Sequence, residues 1–350
     1  MNIINIILCN DKNDNIEIFK KENPYIYTKK PYELIDGKFF NPPFFQIVII
    51  NETLNIIKDD IKLLYNTVII EGFFIIPEKY EFLFNKSNFE TKKYKEYIMI
   101  KKKLNIIYPL KNRTIDCIIC GVQKASTTSA LINISKHKDI SAYPEEIHYF
   151  DIYWTKGINF YKQHFDYSKK IIMEKTPELL YLTQTFPLIQ SLNPFVKLII
   201  FLRNPIDRAY SSWNMIRERK WTSLTFEESI EEELNHRINE NKTFYSATYH
   251  YLQRGLYYKQ IKKLLKFFPK QNIIILISEN LKNNMKKEYN KIYAFLNIPI
   301  INDIEYTHER VGNYNDKINS DTYNKLKKFF VKDVIQLENF LGYNTNWFSI

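Results

Sequence analysis

Glycine is scarce in this chain, with 7 among 350 residues, and cysteine is scarcer, with 3. Three cysteines cannot make a disulfide framework, and Cys117 and Cys120 stand in an apolar run where a buried-core role is expected. No second ligand pair at suitable spacing accompanies them, and the 6 histidines show no paired metal spacing, so no metal site is expected. Long hydrophobic runs are missing too. The longest, "VKLIIFL" at Val196 and "NIIILI" at Asn272, have strand length and are far too short to cross a bilayer. The opening "MNIINIILCNDKNDN" has an apolar run but neither a basic n-region nor a small-residue cleavage site. The expectation is a cytoplasmic protein without a secretory signal or a membrane span.

What is present suffices for a full core, because 45% of the residues are hydrophobic and the chain is long enough for one large domain or two. A formal charge of +11 favours an anionic ligand. The lysines are nevertheless dispersed through every segment, and no basic run with interleaved aromatics marks a nucleic-acid groove. Oligomeric state is not legible at this level.

Residues 1–110 read as a small α/β domain of unassigned role. Strand-like "FQIVII" from Phe45 is followed by a helical "LNIIKDDIKLLYN" from Leu54 and by "VIIEGFFIIP" from Val68. That order resembles the last third of a nucleotide-fold methyltransferase, but no Gly-rich cofactor loop precedes it, and packing or substrate presentation is the expected role. From Thr114 the elements alternate. "TIDCIIC", "IIME" at Ile171, "VKLIIFL" and "NIIILI" are near-continuous apolar strands separated by helical stretches, the first of them over residues 127–136. This predicts an α/β domain over residues 111–350, a parallel β-sheet flanked by helices on both faces. A one-faced stripe of Leu326, Phe330, Val334, Leu337 and Leu341 should close its core.

The first strand of that domain runs into "CGVQKASTTSAL". A strand, a tight turn and a helix place backbone N–H groups where dipole and orphan donors favour an anion, so residues 121–128 read as a P-loop-like phosphate site. A nucleoside-triphosphatase loop would be spelled GxxxxGK[ST], whereas here the lysine comes early, at Lys124, and Ser126 stands in place of the second glycine. Such enzymes also need an acidic residue at a neighbouring strand end for Mg²⁺, yet "LIIFLRNP" ends in Arg203 and Asn204. A cation there selects a second phosphate.

Together, "CGVQKASTTSAL", "YPEEIHYFD", "MEKTPELLY", "LIIFLRNPIDRAYSSW" and "RGLYYKQIKKLLKFFP" resemble, in order and spacing, the motifs of carbohydrate sulfotransferases of the heparan sulfate type and their microbial relatives. The resemblance runs from about Thr114 to Trp347. It implies 3′-phosphoadenosine 5′-phosphosulfate as donor, a glycan hydroxyl or amine as acceptor, and no metal. It implies a 5′-phosphosulfate site from Gly121, Lys124, Ala125, Ser126, Thr127 and Thr128, with Lys124 meeting charge on the oxygen between phosphorus and sulfur. Arg203 and Ser211 match the pair that grips the 3′-phosphate, and Arg310 in "HERVGNYN" stands for the late donor loop. Glu146 falls on the family's general base, His148 is placed to assist or orient it, and Lys175 matches a lysine near both substrates. Asp151 reads either as an acceptor contact or as an exposed loop acid. "DIYWTKGINFYKQHF" from Asp151 reads either as a sugar cleft or as helix packing. The acidic "FEESIEEELNHR" from Phe226 reads as a solvated helix face. Two other functions stay open: a nucleotide or small-molecule kinase, and an inactive polyanion-binding module.

Overall fold

A computed structural model describes residues 113–235, 249–301, 303–307 and 318–348, and six strands within the first 102 residues. Those strands are β1 (Ile4–Leu8), β2 (Ile26–Lys29), β3 (Phe45–Ile50), β4 (Val68–Pro77), β5 (Phe89–Tyr94) and β6 (Tyr97–Lys102). They form one sheet in the order β2-β1-β3-β4-β6-β5. Its first four members are parallel, and β6 runs antiparallel to both β4 and β5. The strands expected from Phe45 and Val68 are β3 and β4; the helix expected from Leu54 lies outside the described residues.

The chain divides into two compact units. One comprises Met1–Thr114 with two later segments, His148–His164 and Gln184–Pro194; the other comprises Ile115–Ile147, Phe165–Thr183 and Phe195–Ile350. The second unit is built on β7 (Cys117–Gly121), β8 (Ile140–Ala142), β9 (Ile171–Lys175), β10 (Lys197–Leu202) and β11 (Ile273–Ile277). These form a sheet in the order β11-β10-β7-β9-β8, parallel at every pairing. Runs rich in Ile and Leu suit strands covered on both faces, and every residue of β7 and β9 is buried. Cys117 and Cys120 belong to this core, where burial pushes the Cys120 thiol up to about 12.

Connectivity decides where a ligand sits. From β7 the chain passes through α1 (Thr127–Ile134) to the edge strand β8, returns to β9 beside β7, and then crosses to β10 and β11 on the other side. The direction of winding reverses at β7, and in open α/β sheets ligands bind outside the carboxyl ends of the strands at such a reversal. Gly121, Lys175 and Leu202, followed by Arg203, are the residues at those ends.

The helices follow from local signals; after α1 come α2 (Ile158–Lys162) and α3 (Phe186–Leu192) in chain order. In α4 (Pro205–Glu218) Asn204 caps the first turn, its side chain accepting from the N–H of Ile206 at 2.9 Å, with Pro205 at the first helical position. In α5 (Phe226–Asn235) Thr225 and Glu228 form a capping box: Thr225 N donates to Glu228 Oε2 at 2.8 Å, and Glu228 N donates back to Thr225 Oγ1 at 3.2 Å. After α6 (Tyr257–Leu264) and β11 come α7 (Ser278–Asn283), α8 (Met285–Leu296) and the long α9 (Ser320–Leu341). The expected stripe of α9 is buried at Leu326, Phe330, Val334 and Leu337, while Leu341 is only half-buried beside Gly342, whose φ of 79° ends the helix. In the unit that contains His148–His164, residues Tyr149, Phe150, Trp154, Ile158 and Tyr161 are buried, and Tyr149 stacks on Tyr161 at 4.7 Å between centroids. Within the stretch from Asp151, Trp154, Ile158 and Tyr161 thus pack a core, while Tyr153 and Phe160 are half-buried, with Lys156 Nζ 4.0 Å and 4.6 Å from their ring centroids.

Candidate active site

The turn after β7 is shaped by a close approach and by two left-handed residues. Any Cβ at Gly121 would lie 2.8 Å from Leu180 Cβ, so only glycine fits where the two segments touch. Val122 N donates to Phe201 O at 2.8 Å, tying the turn to β10. Lys124 and Ser126 then take φ of 72° and 63°, a conformation that costs a non-glycine residue about 1–2 kcal/mol. Ser126 thus keeps the backbone shape that glycine would give, although its side chain makes no capping bond to α1. Ala125 and Thr127 are buried and Ser126 is exposed. The first turn of α1 has no intrahelical partners for its N–H groups, which makes it an anion seat.

Three elements supply charge around this seat. Lys175, the last residue of β9 and only 3% exposed, donates from Nζ to Thr128 Oγ1 at 3.0 Å and to Glu146 Oε1 at 2.6 Å. One ammonium therefore joins the start of α1 to a carboxylate that is still 29% exposed. Beyond β10, Arg203 Nη1 donates to the carbonyl of Lys124 at 3.1 Å, and its own carbonyl accepts from Tyr257 Oη at 2.8 Å. Burial first, and Arg203 second, pull the Lys124 ammonium below its ordinary value; Arg219 and Arg208 act in the same direction and Glu218 against it. Ser211 is buried within α4. Arg310 lies outside the described residues.

In the other unit His148, with φ of 51°, donates through its Nδ1–H to Asp151 Oδ2 at 2.9 Å. Asp151 is 2% exposed, so it is a buried partner of the imidazole and not a loop acid in solvent. A carboxylate on one ring nitrogen fixes ring orientation and leaves the other nitrogen as the reactive one.

Behind the turn lies a buried network that no local sequence pattern announces. Gln123 Nε2 donates to Glu178 Oε1 at 2.9 Å, Arg254 Nη2 donates to the same oxygen at 3.1 Å, and Ser212 Oγ donates to Gln123 Oε1 at 3.3 Å. The network ties the turn to α4 next to Ser211 and to the 3₁₀ turn Gln253–Gly255. Glu233, expected on a solvated helix face, instead accepts from Leu252 N at 2.8 Å and Gln253 N at 3.0 Å, holding the chain that carries Arg254. Burial pushes its carboxyl up to about 7 against those two bonds.

Truncating one member of a buried pair strands the other charge. Arg254→Leu is expected to lower unfolding free energy by about 3–5 kcal/mol, with Arg254→Leu/Glu178→Leu recovering most of the loss. Urea unfolding of the three proteins measures this, and a double variant as weak as the single one would contradict it.

Among the described residues no cluster of His, Cys, Asp and Glu could hold a metal, and no helix is long and apolar enough to cross a membrane. The family described as the sulfotransferase domain matches residues 114–336. The chain is 30% identical over 191 residues to mouse (Mus musculus) heparan sulfate glucosamine 3-O-sulfotransferase 5, covering 52% of this chain and 53% of that one. The human (Homo sapiens) enzyme of the same name is 29% identical with the same coverage. The chain spans about half the length of the curated relatives it matches. A sulfotransferase structure from Alicyclobacillus acidocaldarius superposes with a TM-score of 0.57 at 24% identity, covering 67% of this chain and 98% of that one, a likeness of fold. The family match takes in β7 to β11, the phosphate turn, Glu146, Lys175, Arg203 and Ser211, and with it this chain belongs to the sulfotransferase domain family.

Proposed function

We propose that the chain transfers the sulfuryl group of 3′-phosphoadenosine 5′-phosphosulfate to a hydroxyl or amine of a glycan. The observation that carries this reading is Lys175 bridging Thr128 and Glu146, a carboxylate beside the phosphate seat. Its donor set is cationic and amide in character, and that fits an adenosine carrying phosphates at two places. The glycan is favoured because the relatives that match are named for sulfation of heparan sulfate glucosamine.

In this reading the first turn of α1 and the hydroxyls of Ser126, Thr127 and Thr128 hold the 5′-phosphate, while Arg203 and Ser211 hold the 3′-phosphate. Glu146 takes the proton of the acceptor as its oxygen or nitrogen bonds to sulfur. The sulfur–oxygen bond to the 5′-phosphate breaks in line, and the electron pair goes to that phosphate oxygen. Lys124 meets the charge developing there, and Lys175 holds Glu146 and Thr128 in register. His148, two residues after Glu146 in sequence, is oriented by Asp151.

The decisive test is ligand-induced stabilisation. Adenosine 3′,5′-bisphosphate at 100 times its dissociation constant should add about 2.7 kcal/mol. ATP with Mg²⁺ should add far less; the reverse ranking would favour a kinase. A second expectation concerns pH. An anion on the turn favours protonated Lys124, so affinity for the bisphosphate should fall as pH rises through the free-protein value of that lysine, which lies below the ordinary one. Lys124→Arg should remove this alkaline limb, because arginine stays charged. An unchanged limb in that variant, followed by calorimetric titration across pH, would assign it to another group.

A further inference from the structure

Two left-handed residues within three positions, Lys124 and Ser126 at φ of 72° and 63°, are a strain that persists only where the surroundings over-determine it. Ser126 adds nothing to that support, because its side chain makes no capping bond. Three bonds reach the backbone of the turn: Val122 N donates to Phe201 O at 2.8 Å, Ala125 N to Val122 O at 3.2 Å, and Arg203 Nη1 to the Lys124 carbonyl at 3.1 Å. Gln123 supplies support of a different kind. Its carboxamide is committed at both ends to residues far along the chain, Nε2 donating to Glu178 Oε1 at 2.9 Å and Oε1 accepting from Ser212 Oγ at 3.3 Å. Neither partner is free to drift. Ser212 is fully buried in α4, and Glu178, 3% exposed, also accepts from Arg254 Nη2 at 3.1 Å, an arginine that is itself 4% exposed. The stretch that carries Glu178 is tied to the end of β7, since Leu180 N donates to Cys120 O at 2.8 Å and Thr176 N to Ile119 O at 3.1 Å. A side chain between Val122 and Lys124, fixed at both ends, limits rotation of the peptide groups on either side of it.

We propose that Gln123 is a positioning residue for the anion seat: clamped between Glu178 and Ser212, it holds the turn in the left-handed shape that leads into the first turn of α1. This rests on the reading given under Proposed function. Gln123 acts on a ligand through the backbone, by keeping the fraction of molecules in the binding shape high; without the clamp, unstrained conformers compete and apparent affinity falls by that fraction. A carboxamide suits the place because it donates to a carboxylate and accepts from a hydroxyl at once. An apolar side chain of similar length fills the space and makes neither bond.

Calorimetric titration of the whole chain with adenosine 3′,5′-bisphosphate and with adenosine 5′-phosphosulfate tests the clamp. Gln123→Leu should weaken both ligands by the same factor, about tenfold, which is the extent to which one left-handed residue disfavours its conformer. Loss of a group that touches the 3′-phosphate would spare the second ligand. Ser212→Ala removes one of the two bonds and leaves Glu178 with Arg254, so it should shift both affinities in the same direction by a smaller factor; it also guards against a folding defect in Gln123→Leu. Glycine takes the left-handed conformation without steric cost, so in a Ser126→Gly background Gln123→Leu should weaken binding by less than about threefold. Steady-state kinetics should show a raised donor KM with kcat at saturating donor unchanged, because bound donor restores the shape. Unchanged affinity in a folded Gln123→Leu and in Ser212→Ala, a loss confined to the bisphosphate, or an undiminished loss in the Ser126→Gly background overturns the proposal. A wild type that binds neither nucleotide overturns the sulfotransfer reading together with the clamp, whereas a wild type that binds both, with Gln123→Leu unaffected, removes the clamp alone.

Discussion

Glu146→Gln should lower turnover about 10²- to 10⁴-fold, the usual loss when a positioned base is removed. Binding of adenosine 3′,5′-bisphosphate should be retained. Lys175 Nζ lies 2.6 Å from Glu146 Oε1 and 3.0 Å from Thr128 Oγ1, and a glutamine carbonyl can accept the first of those bonds in place of the carboxylate. The geometry of the phosphate seat is then preserved, and only the ability to take a proton is lost. Measuring kcat and bisphosphate affinity on the same preparation separates the two effects. Undiminished kcat would remove Glu146 from the role. If His148→Asn then abolished turnover, the base would be the imidazole that Asp151 holds at 2.9 Å. A loss of bisphosphate binding in Glu146→Gln would instead mean that the ion pair builds the seat.

Arg203→Ala should weaken adenosine 3′,5′-bisphosphate by about 2–4 kcal/mol, roughly 30- to 1,000-fold, because a fork of charged donors to a phosphate is lost. Adenosine 5′-phosphosulfate, which lacks the 3′-phosphate, should lose much less. Its loss should not be zero, since Arg203 Nη1 also holds the Lys124 carbonyl at 3.1 Å and so braces the turn itself. The difference between the two ligands isolates the phosphate contact from the brace. Equal losses in competition binding would show that Arg203 acts on the turn only.

Much of the second unit could be read from local chemistry. Apolar runs of strand length became β7, β9, β10 and β11, and the stripe of α9 faces inward because its period matches the helix. The edge strand β8 was not legible: Ile140–Ala142 is three residues long, and so brief a run has no periodicity to read. At the site, the turn with Lys124 and the cation after β10 were visible as residue types at turn and strand ends, whereas Glu146 and Lys175 were picked out by the family resemblance, and their ion pair was not foreseen. Of the two readings of Asp151, the exposed loop acid fails because the side chain is buried against His148, a burial that the residues around it in sequence do not reveal. Gln123, Glu178, Arg254 and Ser212 escaped notice altogether. Their bonds join residues 55 to 89 positions apart, and a buried polar side chain looks like a solvated one until its partner is found. Glu233 shows the same thing, since the four glutamates that precede it within Phe226–Asn235 give the stretch the look of a surface.

Burial lowers the proton affinity of Lys124, and the neighbouring charges of Arg203, Arg219 and Arg208 lower it further; burial above all brings Arg208 down to about 10. Such crowding means that the ligand-free protein stores repulsion that an oxyanion discharges. The identity of the buffer anion, at fixed ionic strength, therefore becomes a thermodynamic variable: phosphate or sulfate relaxes the crowd and chloride relaxes it less. Melting curves recorded in different buffers will describe different starting states, and a donor will look weaker wherever a tetrahedral ion has already taken its place.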